Sequence, residues 1–288
     1  MPFINSVRGT HGSEGRFNPG RFVGSGGTVT YAGGYTIHTF NYTGSAQTFG
    51  GVGLPTTLEY LIVAGGGPGG NNSNVMAGGG AGGLLSGSFT NFTQGNNYTV
   101  TVGVGQPKDA AQVRGGSSVF NGQTAIGGGS GGSESNSPPA NTGGSGGGAS
   151  YAYTGGAGTV GQGYKGGNGG AANGTYPTGG GGGAGQAGED VSGSTRTVGG
   201  YGGSGLTNSI TGTSTYYAGG GGGAVWNGSP GPYTAASGGA GGGGRGDYYG
   251  ASLATQGTDG LGGGGGAGWN GTYSGRGGHG IVILRYPT

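Results

Sequence analysis

Residues 257–280 read GTDGLGGGGGAGWNGTYSGRGGHG, and residues 281–288 follow directly as IVILRYPT. Glycine at this density ordinarily makes a flexible linker, because it loses more backbone entropy on ordering than any other residue. Yet this stretch ends in a β-branched apolar run of strand length. Such a run is wasted on a free tail. It makes sense if it returns to a sheet, and then the glycine before it is held at both ends.

Upstream, LEYLIVA (58–64) reads as a buried strand that could neighbour IVIL, and further strand signals surround it. TVTY (28–31) and YTIHTFNY (35–42) alternate, with Gly33-Gly34 as a turn between them. LLSGSFT, YTVTVGV and SSVF-NG-QTAI continue the pattern. In the last, Asn121-Gly122 suits a two-residue hairpin turn in which both residues have positive φ. No segment sustains a 3.6-residue apolar period, so essentially no α-helix is expected.

Composition divides the chain. It has 288 residues, 92 of them glycine, and charged residues make up 6%. Residues 127–280 hold 62 of those glycines, both tryptophans and 11 of the 17 tyrosines, but only eight Val, Ile, Leu or Phe. The glycines gather in runs at 64–70, 77–83, 143–149, 179–188, 199–205, 218–224, 238–246 and 260–268, divided by polar loops. Collagen is excluded, since it needs glycine strictly at every third residue. Extended three-per-turn helices have no internal hydrogen bonds, so neighbouring helices must satisfy their amides. Glycine permits this because no side chain separates the backbones. Ordering costs about 1–2 kcal/mol per residue, against about 0.5–1.5 kcal/mol per net hydrogen bond. Such a bundle therefore needs a nucleus, which the strands supply.

The expected fold is all-β plus polyglycine-II: a β-sandwich-like base carrying a stacked bundle of polyglycine-II helices. Residues 1–27 form an N-terminal docking arm and 28–126 the base, with the first glycine runs at 64–83. Residues 127–280 form the bundle, and 281–288 a strand returning to the base sheet.

LEYLIVAGGG, AGGGAGGLLSGSFT, YTVTVGVG, GGSSVFNGQTAIGGG, SITGTSTYYAGGGGGA and GIVILRYP resemble the glycine-rich domain of bacteriophage tail-fibre proteins. The chain is also similar in kind to the polyglycine-II tip adhesins of T-even-like phages, over roughly residues 28–288. The resemblance implies a rigid glycine stack whose loops at one end contact a host-cell surface protein or glycan. It implies an extracellular or virion location and a non-enzymatic role. It does not extend to residues 1–27.

Counting antiparallel runs places loops 71–76, 133–142, 159–165, 189–198, 225–237 and 269–276 at the far end, and 206–217 and 247–259 at the base. Trp226, Tyr233, Trp269 and Tyr273 then share the tip. Tyr and Trp offer large, rigid, amphipathic contact area at low entropic cost, which suits receptor binding; the alternative is that they cap the stack. Tyr216 and Tyr217 abut a run at the base and read as caps. In the arm, Phe3, Ile4, Val7, Arg8, Phe17 and Phe22 read as subunit-docking residues, able to join another fibre or filament subunit.

Other signals are weak. GxGxxG matches mean nothing at this glycine content. Arg245-Gly246-Asp247 arises by chance. His11, His38 and His279 show no zinc spacing, so no metal or cofactor is implied. His38, in an alternating strand, reads as a surface or pairing position. Glu189-Asp190 reads as a solvated pair. No acid pair or Ser/His/Asp grouping suggests catalysis. A net charge of +2 argues against nucleic acid, and no apolar run reaches the length of a membrane span. The rival expectations are a filament subunit assembled through its arm and an ice-binding protein with flat glycine faces.

Overall fold

The computed structural model describes residues 23–52, 57–70, 75–90, 96–108, 113–134, 140–170, 174–191, 197–226, 232–248, 254–269 and 274–288. Phe3, Ile4, Val7, Arg8, Phe17, Phe22 and Tyr273 lie outside those residues. Among the described residues there are strands and no helix. The strands are β1 (Val23–Ser25), β2 (Thr28–Ala32), β3 (Tyr35–Asn41), β4 (Gln47–Val52), β5 (Leu58–Val63), β6 (Leu84–Phe89) and β7 (Asn97–Thr101). They continue with β8 (Ser118–Phe120), β9 (Gln123–Ala125), β10 (Tyr176–Pro177), β11 (Leu206–Asn208), β12 (Thr215–Tyr217), β13 (Val225–Trp226) and β14 (Ile281–Pro287).

Two five-stranded antiparallel sheets form the base, in the orders β2-β3-β14-β5-β6 and β1-β4-β7-β8-β9. The terminal strand lies where its sequence requires. Its residues 281–285 pair with Val63 through Glu59 on one side, and 281–287 pair with Asn41 through Tyr35 on the other. Val282, Leu284 and Tyr286 face the core between the sheets, with Phe40, Phe49, Leu58, Ile62, Val100 and Phe120. Ile281 and Ile283 face the opposite side, where Ile37, Leu61, Val63 and Leu84 meet Ile210 and Tyr217. A strand buried on both faces reads as a continuous apolar run, as IVIL does. The β8–β9 hairpin turns at Asn121 (φ 44°) and Gly122 (φ 78°).

Two features of the base depart from or sharpen the sequence reading. Val23–Ser25, within the stretch assigned to the arm, is strand β1 and pairs with β4. His38 is a pairing position, opposite Val29 and Leu284, and not a surface one. It is fully buried, with its ring 5.2 Å from Phe49, edge to face. Its Nδ1 lies 2.8 Å from the Gly26 carbonyl and its Nε2 3.2 Å from the Tyr286 hydroxyl. A carbonyl only accepts, so Nδ1–H donates, and the hydroxyl donates to Nε2 while accepting from Gly24 N–H at 2.7 Å. Burial holds its pKa below the ordinary histidine value, which favours the neutral ring and this arrangement of donors.

The glycine runs carry neither helix nor strand, and their amides bond from run to run. Run 77–83 shows the rule. Ala77, Gly80 and Gly83 donate to Gly132, Gly129 and Ile126; Gly78 and Ala81 donate to Gly179 and Gly182; Gly79 and Gly82 donate to Gly265 and Gly262, all at 2.8–3.2 Å. The partner run of the donating amides recurs every third residue. Carbonyls of the same run accept from 64–70, from Ser145 and Gly148, and from Gly221. Donating to three runs and accepting from three others, 77–83 is bonded to six neighbouring segments. A Cβ on Gly79 would come within 2.4 Å of the Gly67 carbonyl oxygen, and one on Gly78 within 2.2 Å of that of Gly221. Outer runs differ. In 163–170, Tyr164, Gly167 and Gly170 bond to one neighbour and Gly166 and Gly169 to another, while the third direction falls to Lys165 and Asn168. Polar side chains thus occupy the period-three positions that face out of the stack.

Candidate recognition surface at the tip

The runs rise from the sandwich and return to it, so their loops collect at two levels. At the base level lie the 206–217 excursion and three turns. Leu84 N donates to Gln162 O, and the Gln162 side chain bonds Ile126 N and Thr124 O, which fixes turn 159–162 beside β6 and β9. Gly260 and Gly262 both donate to His279 O. Gly241, with φ 100°, turns beside Tyr217. The opposite level is knit by bridges Val75–Trp269, Met76–Ser133, Val198–Thr234 and Val225–Tyr248, and by the β10–β13 pair.

This arrangement corrects the sequence-based count of loops in two places. Loop 159–165 is at the base, not the far end. Segment 247–259 begins at the tip, with Asp247 N on Ala267 O, and reaches the base only near Asp259. The reason is physical. Residues 141–144 run antiparallel to 126–132, whereas 145–148 run parallel to it, so the chain reverses inside a glycine run. A similar reversal occurs at 240–242. The usual turn signal is glycine itself, which leaves no punctuation in a run made of it.

Of the tryptophans and tyrosines expected at the tip, three lie among the described residues. Trp269 and Tyr233 are each 8% exposed, and Val75, bridged to Trp269, is fully buried. Their burial leaves little surface for a ligand, and they cover the run ends. Hydroxyls complete that cover: Thr178 Oγ1 donates to Met76 O and accepts from Ala224 N, and Ser274 Oγ accepts from Gly268 N and donates to Gly70 O.

Trp226 is different. It is half-buried and stacks on Tyr176, with centroids 5.1 Å apart, and Tyr176 packs on Tyr151 at 4.8 Å. Offset aromatic pairs at such separations contribute about 0.5–1.5 kcal/mol each beyond area burial. Tyr151 has φ 51°, a left-handed backbone that a bulky residue rarely adopts. Its hydroxyl donates to Glu134 Oε1 at 2.9 Å. Burial, and then the Glu134 carboxylate, push its pKa up to about 12. The phenol stays protonated at any physiological pH and keeps the ring in the row. Tyr151 and Tyr176 were missed from sequence, although SYAY and GTYP adjoin glycine runs as VWNG does.

The acids near the tip are locally engaged. Asp190 Oδ2 accepts from Asn168 Nδ2 at 2.7 Å, and Glu189 Oε2 from Tyr201 N at 2.9 Å. Asp247 is fully buried, and its Oδ1 accepts from Tyr248 N, so the Arg-Gly-Asp tripeptide is not displayed. Of the histidines, His279 is at the base, stacked on Tyr42 with its Nδ1 accepting from Gly105 N.

Fold and surface together define an all-β, glycine-stacked scaffold with a side-chain-bearing tip. Residues 53–287 match the glycine-rich domain family, and the chain belongs to that family. A search of curated proteins finds no match.

Proposed function

We propose that this protein is a bacteriophage tail-fibre adhesin that binds a host surface protein or glycan through its tip. It works non-enzymatically, outside the cell and on the virion, and its N-terminal arm joins it to other fibre subunits. The observation that supports this reading is the aromatic row Tyr151–Tyr176–Trp226, half-buried at the end of the stack remote from the sandwich. Rings packed on one another are already ordered, so binding to them costs little further entropy. Polar loops around such anchors supply adaptable hydrogen bonds.

The test is binding of labelled protein to a panel of intact bacterial isolates. On a strain that binds the parent, Trp226→Ala is expected to weaken binding about tenfold or more, as loss of an aromatic hot spot does. Tyr216→Ala, at the base, is expected to leave it unchanged. Equal binding by the parent and a Tyr176→Ala/Trp226→Ala double variant would refute the tip assignment.

A further inference from the structure

Three exposed apolar side chains share one groove on the flank of the molecule: Val160, 98% exposed, Tyr164 and Leu206. Ala157 and the buried Ala184 also line it, and Lys165 is its charged residue. The volume is about 540 Å³, within the range of ligand pockets. A valine almost wholly in water, next to Gly161 with φ 78° in the turn, gains nothing from its place in the isolated molecule.

The groove has a defined position in the sandwich. Gln162, beside Val160, bonds Thr124 O at β9, and its carbonyl accepts from Leu84 N at β6. β6 and β9 are the last strands of their sheets, whereas β1 and β2 are the first. Val23, the first described residue, opens β1 at the edge opposite the groove. The sequence before it includes MPFINSV (1–7), which is uncharged and carries Phe3, Ile4 and Val7. A donor at one edge and an acceptor at the other make a head-to-tail contact, which propagates between copies unless the rotation closes a ring.

We infer that the flank groove is the acceptor for residues 1–7 of a second copy of this chain, with Phe3, Ile4 and Val7 seated against Val160, Tyr164 and Leu206. This rests on the arm-docking reading above and names its acceptor. It is independent of what the tip binds.

The experiment is sedimentation velocity of the full chain over a concentration series. The parent is expected to gain mass with concentration. A groove variant, Val160→Asp/Leu206→Asp, and an arm variant, Phe3→Asp/Ile4→Asp, are each expected to stay at the mass of one copy. Both groove positions are exposed, so folding is preserved and is checked by circular dichroism. Mixing the two variants is expected to give a one-to-one pair and nothing larger, since one intact arm meets one intact groove. A groove variant that assembles like the parent while the arm variant does not would overturn the groove and leave arm docking standing. A parent that stays at one copy, or a mixture that forms no pair, would overturn docking in trans altogether.

Discussion

Replacing Gly79 by alanine tests whether main-chain contact holds the stack together. Its Cβ would lie 2.4 Å from the Gly67 oxygen and 2.5 Å from that of Pro68. Both are backbone atoms, so no side chain can swing aside. Restoring ordinary contact means moving one run by about 1 Å within a close-packed interior. Run 64–70 is bound there by Gly67 N to Gly80 O at 2.9 Å, Gly265 N to Gly67 O at 3.0 Å and Gly131 N to Pro68 O at 3.0 Å. A shift of that size takes two or three of these bonds out of range. Each buried group left unsatisfied costs about 1–3 kcal/mol, against about 0.4–1 kcal/mol gained from a stiffer unfolded chain. The expected net loss is about 3–6 kcal/mol. Gly132→Ala is the matched control, because its Cβ would meet nothing closer than 3.5 Å; it is expected to be neutral, or stabilising by up to about 1 kcal/mol. Urea denaturation of the three proteins measures the difference. If Gly79→Ala falls within about 1 kcal/mol of the parent, or if the two variants behave alike, lateral backbone packing is not what stabilises the stack.

The base yields three further predictions. Burial favours the neutral His38 ring in the folded state and depresses its pKa, so below about pH 6.5 the unfolded chain takes up a proton that the folded one refuses; stability falls with pH through that window and levels off below the folded pKa. His279 shifts the same way; His38→Phe is expected to flatten the loss of melting temperature between pH 7 and 5, and an unchanged slope would acquit His38. Arg276 grips Asp259 through two bonds of 2.7 Å and holds its pKa down to about 2, stabilisation that is present above the ordinary carboxyl pKa and is lost as pH falls through about 2. Because Asp259 is half-exposed, Asp259→Asn is expected to cost no more than about 1 kcal/mol in thermal unfolding at pH 7. Arg285 pairs with Glu59, lies over the Tyr35 ring and donates to Ser209 O and Ile210 O; Arg285→Met is expected to speed amide exchange in 206–217 at least tenfold while leaving 77–83 protected.

The base was legible because its strands obey side-chain rules. LEYLIVA and IVILRYP are apolar enough to be buried, and Asn121-Gly122 marks its own hairpin. Strand β4, QTFGGV, was missed: Gly50-Gly51 spoils its pattern, although a Cβ at Gly50 would lie 2.6 Å from Asn97 Oδ1. The burial of His38 was not legible, because a polar residue in an alternating strand reads as outward-facing, and its partners, Gly26 and Tyr286, are distant in sequence. In the stack, the sequence marks which runs are central, since AGGGAGG has no room for polar side chains while GYKGGNGG spaces Lys165 and Asn168 three apart. It does not mark where a run turns back. The loop count was therefore wrong in two places, and Tyr151 and Tyr176, which pack in one row with Trp226, were not singled out.

Stability and variability fall on different atoms in this fold. Within the stack, bonds run from amide to carbonyl, so they constrain the sequence only by excluding side chains. The charged staples, Arg285 on Glu59 and Arg276 on Asp259, tie down the base level. At the tip, Thr178 and Ser274 close the run ends with hydroxyls, and Trp269 and Tyr233 cover them. These contacts satisfy run-end groups through residues of the runs and their immediate flanks. A loop that contributes little to stability can change residue by residue without unfolding its support. The aromatic row, by contrast, is anchored, by Tyr151 on Glu134 and by the Tyr176–Trp226 strand pair. On the proposed adhesin reading, a fixed aromatic anchor keeps a binding mode while variable loops shift its specificity, which is the physical case for looking to the tip, rather than the sandwich, for whatever distinguishes one relative from another.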